Sequence, residues 1–513
     1  MAKLPAYENV EFTAVQIDPA NANVSWQQVQ EATNGILTDW GITLLRKGLD
    51  PFVKTVLVET PYVCEDYRSL HRNFYGRKFR ERSSKCVRLH FFDDRLDQSQ
   101  MLMEGSAENY IGSSVVEPLV KRCIGRTVLD PAKLGYDAKN VHLLGTTFHN
   151  RLGGLRYECR GFPYRTQNDE ATVCAHVTMW AVCRYLSTKF QHYRKQLPFD
   201  LVEMADRRSG RVIPHHGLTY ADYSEMLDRF GCHPVILANH GYGSSPFSMT
   251  QPTLSDQAAF VDFLRDLYSY VESGFPVIAT FGGHVVSIIG HESQPEEKVH
   301  DRISALTGPI HASELVDRYV VMDDNYFPYQ FMNRSESEPD GYAWTLKDVR
   351  GIVVPLPDEA FLRPQDVDRF TEMLLGTDQM KEMIRKSEVT GPVIYRPFLA
   401  TGVSLKQFKL KQLIDDPDDL ALRYVLVLSL PRFVWCVELS TPELRSKDRA
   451  FGEILLDATA GESDLEPIFA RIGPYIARSI ATEQSWQLDY VDGNPYSTFR
   501  QFRHNLGVPP SHV

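Results

Sequence analysis

Cys174, His284 and the acidic pair Asp323-Asp324 are residues whose types and order could together carry out covalent chemistry. Cys174 ends the run Gln167-Asn-Asp-Glu-Ala-Thr-Val-Cys174. It leads into Ala175-His-Val-Thr-Met-Trp-Ala-Val-Cys-Arg-Tyr-Leu186, which reads as a buried helix spanning residues 172–190. A thiol in the first turn of a helix meets unpaired backbone N–H groups and the positive end of the helix dipole, and both favour the thiolate. His284 follows Gly282-Gly283 and opens the apolar strand Val285-Val-Ser-Ile-Ile289, with the glycines leaving room around its ring. Asp323 and Asp324 end the next strand, after Tyr319-Val-Val-Met322. If those strands are neighbours, a carboxylate can orient the imidazole and the imidazole can pair with the thiolate. Alternation along a strand points Asp323 and Asp324 to opposite sides, so either could be the orienting acid. The amides of Gln167 and Asn168, just upstream of the thiol, could each donate to an oxyanion.

Taken singly, these residues have plainer roles. A free Cys packs like a small hydrophobe, a His before an apolar strand is usually a hydrogen-bonded core residue, and Asp-Asp-Asn after a strand is usually a turn. Their joint order is what points to catalysis. His176, on another face of the helix, and Cys183, in its middle, read as packing. The eight cysteines contain no C-x-x-C pair, so zinc and thioredoxin-type chemistry lose their usual signature. No G-x-S-x-G elbow, phosphate-binding G-x-x-x-x-G-K-[ST] loop or H-E-x-x-H helix is present. The doublet His215-His216 reads as surface or turn, and Gly241-Tyr-Gly-Ser-Ser245 as a flexible turn.

The elements that must position this chemistry alternate in blocks. Residues 53–59, 86–92, 110–119, 123–129, 141–147 and 155–160 read as strands, with a helix at 64–80. Helices are expected at 172–190, 220–230 and 255–273, followed by strands at 276–280, 284–290, 318–322 and 351–355. Beyond a Pro-rich stretch come a helix at 365–386, strands at 393–399, 424–430, 434–439 and 452–458, and a helix at 465–479. This is a segregated α+β order. A chain of 513 residues with 43% hydrophobic and 24% charged residues is a folded protein with room for about three domains. They are expected at 1–155 (α+β), 156–357 and 358–513 (α/β or α+β). Neither an export signal nor an apolar run of about 20 residues is seen, which implies a cytoplasmic chain with reduced thiols and no membrane association. A net charge of −11 gives no general attraction to nucleic acid. The run from Arg68 to Arg88 is locally basic, but no nucleic-acid-binding motif surrounds it, and it reads as a solvated helix face with its connecting loop.

The order Gln, Cys on a helix, His opening a strand, then Asp resembles the papain-like cysteine peptidases. Within them it is most similar to the bacterial branch of staphopain-like enzymes and the peptidase domains that trim bacteriocin leaders. Gly274-Phe-Pro-Val-Ile278 ahead of Gly283-His284, and Gly217-Leu-Thr-Tyr-Ala221 before a helix, are similar to family text. The resemblance covers about residues 160–357, under half of the chain. It implies a papain-like domain at 156–357, in which a central helix bearing Cys174 packs on an antiparallel sheet, flanked by accessory domains. It also implies Cys174 as nucleophile, His284 as general base and then acid, Asp323 as orienting acid, and Gln167 as oxyanion donor. The family Gln commonly precedes the Cys by six residues. Here Gln167 precedes it by seven and Asn168 takes the sixth place, so Asn168 is the alternative donor, as Asp324 is the alternative acid. The aromatic-rich signature of the plant-type and lysosomal branches is absent. The implied activity is hydrolysis of peptide or isopeptide bonds in a protein or peptide substrate, without metal or organic cofactor. A regulatory partner could act through the flanking domains. Transglutaminase or deamidase chemistry, and a scaffold without turnover, would use the same layout.

Overall fold

The computed structural model of the chain describes residues 10–101, 104–168, 170–204, 217–239, 254–294, 308–336, 341–415, 419–461, 467–480, 485–490 and 498–506, with Ile303, Leu306 and Pro417. His215, His216 and residues 241–245 lie outside the described residues. The protein is mixed α+β with several antiparallel sheets. It divides into two compact units, one of residues 1–236, 278–289 and 320–353, the other of residues 237–277, 290–319 and 354–513. No described helix is long and apolar enough to cross a membrane.

In the first unit, the strands Glu11–Gln16, Thr55–Tyr62, Cys86–Phe92, Tyr110–Val116 and Ile124–Leu129 pair antiparallel in chain order. The helices Ala22–Ala32 and Asp39–Leu49 were not expected from periodicity. The second begins where the Thr38 hydroxyl accepts from the Gly41 N–H, a capping signal that is local rather than periodic. The helix expected at 64–80 ends early, at Asn73, and a short 3-10 turn follows. A further sheet orders the strands Gln330–Asn333, Val316–Met322, Val285–Ser293, Val277–Thr280, Gly351–Leu356 and His233–Ala238. The strand that follows His284 is therefore a direct neighbour of the strand that ends before Asp323.

The helix Cys174–Lys189 is buried along its length from Ala175 to Leu186, as befits a helix apolar on every side. Its polar side chains are tied to named partners. Thr178 Oγ1 donates to the Val285 carbonyl at 3.2 Å, and Trp180 Nε1 donates to Asp66 Oδ1 at 3.2 Å. Arg184 reaches Asp66 Oδ1 at 2.6 Å and Glu65 Oε1 at 3.1 Å, while Arg126 lies 3.5 Å from Asp66 Oδ2. Asp66 opens the helix Glu65–Asn73 and is fully buried, so this one carboxylate clamps two helices together.

In the second unit, the strands Ile310–His311, Ile394–Thr401, Phe433–Ser440, Gly452–Asp457, Pro467–Ile472, Tyr475–Ile480 and Ser485–Tyr490 form a sheet in that order, the first two parallel. Arg396, Glu438, Glu453 and Arg471 stand directly opposite one another across its second to fifth strands. All four are buried. Arg396 pairs with Glu438 at 2.5 Å and Glu272 at 3.1 Å, Lys409 with Glu453 at 2.6 Å, and Arg471 with Asp419 at 3.2 Å. Three expectations are corrected here. Residues 424–430 are not a strand. The helix Leu420–Val427 runs through this stretch with Leu422 and Val425 buried, and Asp419 accepts from the Leu422 N–H at its start. Residues 465–479 are not a helix. The strands Pro467–Ile472 and Tyr475–Ile480 form a hairpin around Gly473-Pro474, where Gly473 takes φ +53° and Pro474 has no N–H to continue a helix. The single helix expected at 365–386 is two, Pro364–Gly376 and Asp378–Lys386, because Thr377 caps the second by accepting from the Met380 N–H.

Replacing Asp66 by Ala would leave the buried Arg184 without its shortest ion pair. An unpaired buried charge of this kind costs about 3–5 kcal/mol. Denaturant unfolding of Asp66→Ala should show a loss of that size, and a loss below about 1 kcal/mol would contradict the clamp.

Candidate active site

All eight cysteines are free thiols, and seven are buried. Burial pushes the Cys64 and Cys232 thiols up to about 12, and it raises Cys86, Cys123, Cys159, Cys183 and Cys436 as well. Cys174 is the exception, only partly buried. It is the first residue of its helix, after Val173 in extended conformation, and no side chain caps this end. The first N–H groups of the helix, including that of Cys174, have no intrahelical acceptor by position. A negative charge on sulfur or on a bound carbonyl oxygen can use them.

The Cys174 thiol lies near enough to the His284 ring to help raise its pKa. The ring's Nε2 lies 2.9 Å from Asp323 Oδ2, so Nδ1 is the ring nitrogen that this carboxylate does not engage. Burial opposes a charge on this ring, but the neighbouring Asp323 and Cys174 raise its pKa to about 10. The ring is thus held as an imidazolium at neutral pH, the form that stabilises a neighbouring thiolate. Of the glycines before His284, Gly283 leaves open space where a side chain would stand, while Gly282 is crowded. Gly283 adopts φ +102° in a tight turn closed by Phe281 N to His284 O at 2.8 Å, and a side chain on Gly282 would come within 2.7 Å of the Arg350 guanidinium. The Thr178–Val285 bond, one helical turn beyond Cys174, holds the thiol's helix against the start of the histidine's strand.

Asp323, not Asp324, is the partner of His284. It is fully buried, and its oxygens also accept from the Tyr342 hydroxyl at 2.7 Å and the Asn325 N–H at 2.9 Å. Asp324 points elsewhere, with Oδ2 3.4 Å from the Gln167 N–H and 3.5 Å from Arg122. Burial and the charge of Asp323 push its carboxyl up to about 7, against the pull of His284 and Arg122. Two aromatic residues belong to the site without having been expected there. Tyr342 braces Asp323, and Trp344 lies over His284 with ring centroids 6.3 Å apart and planes within 24°. The only sequence signal was an aromatic pair, Tyr342-Ala-Trp344, in an otherwise polar stretch.

The two candidate amides differ in how firmly they are held. Asn168 Oδ1 accepts from the N–H groups of Glu170, Ala171 and Thr172 at 3.2, 2.9 and 2.9 Å, which fixes the side chain in the turn leading to Cys174. Among the described residues its Nδ2 is buried with no hydrogen-bond partner. Gln167 is half-buried, and among the described residues no hydrogen bond to its side-chain amide is seen. His284, Asp323 and Asp324 bring one ligand atom each within 4.8 Å of one another, close enough to hold a metal ion. However, Asp323 Oδ2 is already shared by two donors and Arg122 adds positive charge beside Asp324, so the set is arranged as a hydrogen-bonded relay. No family model, curated protein or solved structure matches the chain.

Because the His284 pKa is raised from 6.5 to about 10, the stabilisation it provides is complete below pH 6.5 and is lost as the pH rises toward 10. Urea unfolding should therefore show the parent chain's advantage over Asp323→Asn shrinking across that window. Iodoacetamide labelling of Cys174 near neutral pH should slow by about tenfold or more in Asp323→Asn, equivalent to one pKa unit or more. It should change by about twofold or less in Asp324→Asn. The reverse order would assign the orienting role to Asp324.

Proposed function

We propose that the chain is a papain-like cysteine peptidase or isopeptidase that hydrolyses amide bonds through Cys174. The observation that carries this reading is the set of one partly exposed thiol at a helix start, an imidazole near it whose pKa the thiol helps to raise, and a buried carboxylate hydrogen-bonded to that imidazole. The Cys174 thiolate attacks the carbonyl carbon, and the electron pair of the C=O bond moves to oxygen. The helix-start N–H groups and the unpaired Asn168 amide are available to stabilise that oxyanion. When the tetrahedral intermediate collapses, the C–N bond breaks and His284 gives its proton to the leaving amine. The neutral ring then takes a proton from water as it attacks the thioester, which releases the carboxylic acid and restores the thiolate. Asp323, braced by Tyr342, keeps Nε2 occupied and leaves Nδ1 as the ring nitrogen for these proton transfers.

Asn168 has the fixed geometry and free donor that oxyanion stabilisation requires, so it takes the role in preference to Gln167. A thiol-directed activity probe followed by peptide mapping should label Cys174 ahead of the seven buried cysteines. Equal labelling of Cys183 or Cys436 would remove the nucleophile assignment. On a peptide library, Asn168→Ala should lower kcat by about 10²–10³-fold with little change in KM. Gln167→Ala should lower it by less than about tenfold. Ammonia release from glutamine peptides without chain cleavage would instead identify a deamidase.

A further inference from the structure

The basic stretch that follows Asp66 remains outside the chemistry just described. Arg68 and Arg72 lie one turn apart on the exposed side of the helix Glu65–Asn73, and Arg77 and Arg80 are exposed in the loop that follows. None of the four makes an ion pair among the described residues. Phe79, between the two loop arginines, is fully exposed. The loop is nonetheless well anchored. His71 Nε2 lies 3.0 Å from the Arg82 carbonyl, Tyr67 donates to the Ser83 carbonyl at 3.1 Å, and Lys78 and Arg82 lie over the Phe74 and Tyr75 rings. Two of its cations already hold a carboxylate, with Glu170 Oε2 2.8 Å from Lys78 and 4.0 Å from Arg82. Glu170 belongs to the turn that fixes Asn168, four residues before Cys174.

We propose that this face docks an acidic polypeptide segment beside the active site. Its carboxylates would pair with Arg77 and Arg80 and, along the helix, with Arg68 and Arg72, while an apolar side chain packs on Phe79. Glu170 is the chain's own sample of such a ligand, and the arginine fork matches a carboxylate with two parallel N–H donors. A nucleic acid fits less well. Single strands bind along several successive aromatic platforms, and this loop exposes one. The net charge of −11 also opposes a long polyanion, whereas a short acidic segment interacts within a screening length of about 8 Å and meets mainly the local arginines. The use of this face to recruit substrate rests on the peptidase reading; the binding itself does not.

The test uses the full chain carrying Cys174→Ala and a fluorescein-labelled peptide of repeating Glu-Glu-Leu, followed by anisotropy. Binding should weaken as salt rises. It should weaken by about tenfold or more in the Arg77→Glu/Arg80→Glu double variant, and by about threefold in Phe79→Ser. Thermal melting should be unchanged, since all three side chains are exposed. If the charge reversal lowers the melting temperature, the neutral pair Arg77→Gln/Arg80→Gln takes its place, with a smaller loss expected. Absence of binding at low salt, or binding indifferent to Arg77 and Arg80, overturns the proposal. So does oligothymidylate that binds more tightly than the peptide through the same residues. With the nucleophile removed, these outcomes concern the docking face alone, while failure of Cys174 to label in the parent chain concerns the catalytic reading alone.

Discussion

A carboxylate taken out of water must either find donors to compensate its charge or take up a proton. Asp323 finds three, from His284, Tyr342 and Asn325, which come from the turn before Val285–Ser293, the stretch before Leu346, and the turn after Val316–Met322. Satisfying this one anion therefore fixes the relative position of three segments that local structure alone would leave independent. Asp324, its chain neighbour, is nearly as buried but worse provided. Among the described residues its Oδ1 has no hydrogen-bond partner, and its carboxyl is pushed up to about 7. Two adjacent acids of the same type thus stand in different surroundings, one met by three donors and the other raised by burial and by its neighbour's charge.

The same principle operates on the other side of the thiol. The helix Cys174–Lys189 can be apolar all round because it is enclosed, but enclosure leaves Trp180 and Arg184 needing acceptors, and Asp66 supplies both. The 168–172 turn ahead of Cys174 is held by the Asn168 side chain in place of a regular capping residue. Its geometry is consequently set by side-chain chemistry within five residues. Position along the chain matters here more than residue identity, since Gln167, one residue earlier, has no comparable hold.

Much of the first unit was legible because its signals are local. The helix Tyr220–Phe230 has a Thr219–Asp222 capping box and ends at Gly231 in the left-handed region, and both marks stand in the sequence. That His284 and the acidic pair would meet was legible because their strands, consecutive in chain order among those of the sheet, are neighbours in it. The choice between Asp323 and Asp324 was not, since it depends on which oxygen meets donors from distant segments. Tyr342 and Trp344 were missed for the same reason, as nothing in their own neighbourhood points to His284. In the second unit, residues 424–430 and 465–479 are short apolar runs whose period does not separate helix from strand. Asp419 before Leu422, and Gly473-Pro474 in the middle of the second run, were the local marks that decide them.

The charged row across the sheet of the second unit has a consequence for how that sheet finds its pairing. An apolar face alone rejects a slip of one residue, which would turn every side chain over, but it tolerates a slip of two. Moving Ile394–Thr401 by two residues along Phe433–Ser440 would set Arg396 opposite Cys436 or Ser440 instead of Glu438. The guanidinium would then be sealed in a core without its anion, at a cost of several kcal/mol. Buried ions that add little net stability can in this way act as an address, making the one correct alignment of strands distinguishable from its near neighbours.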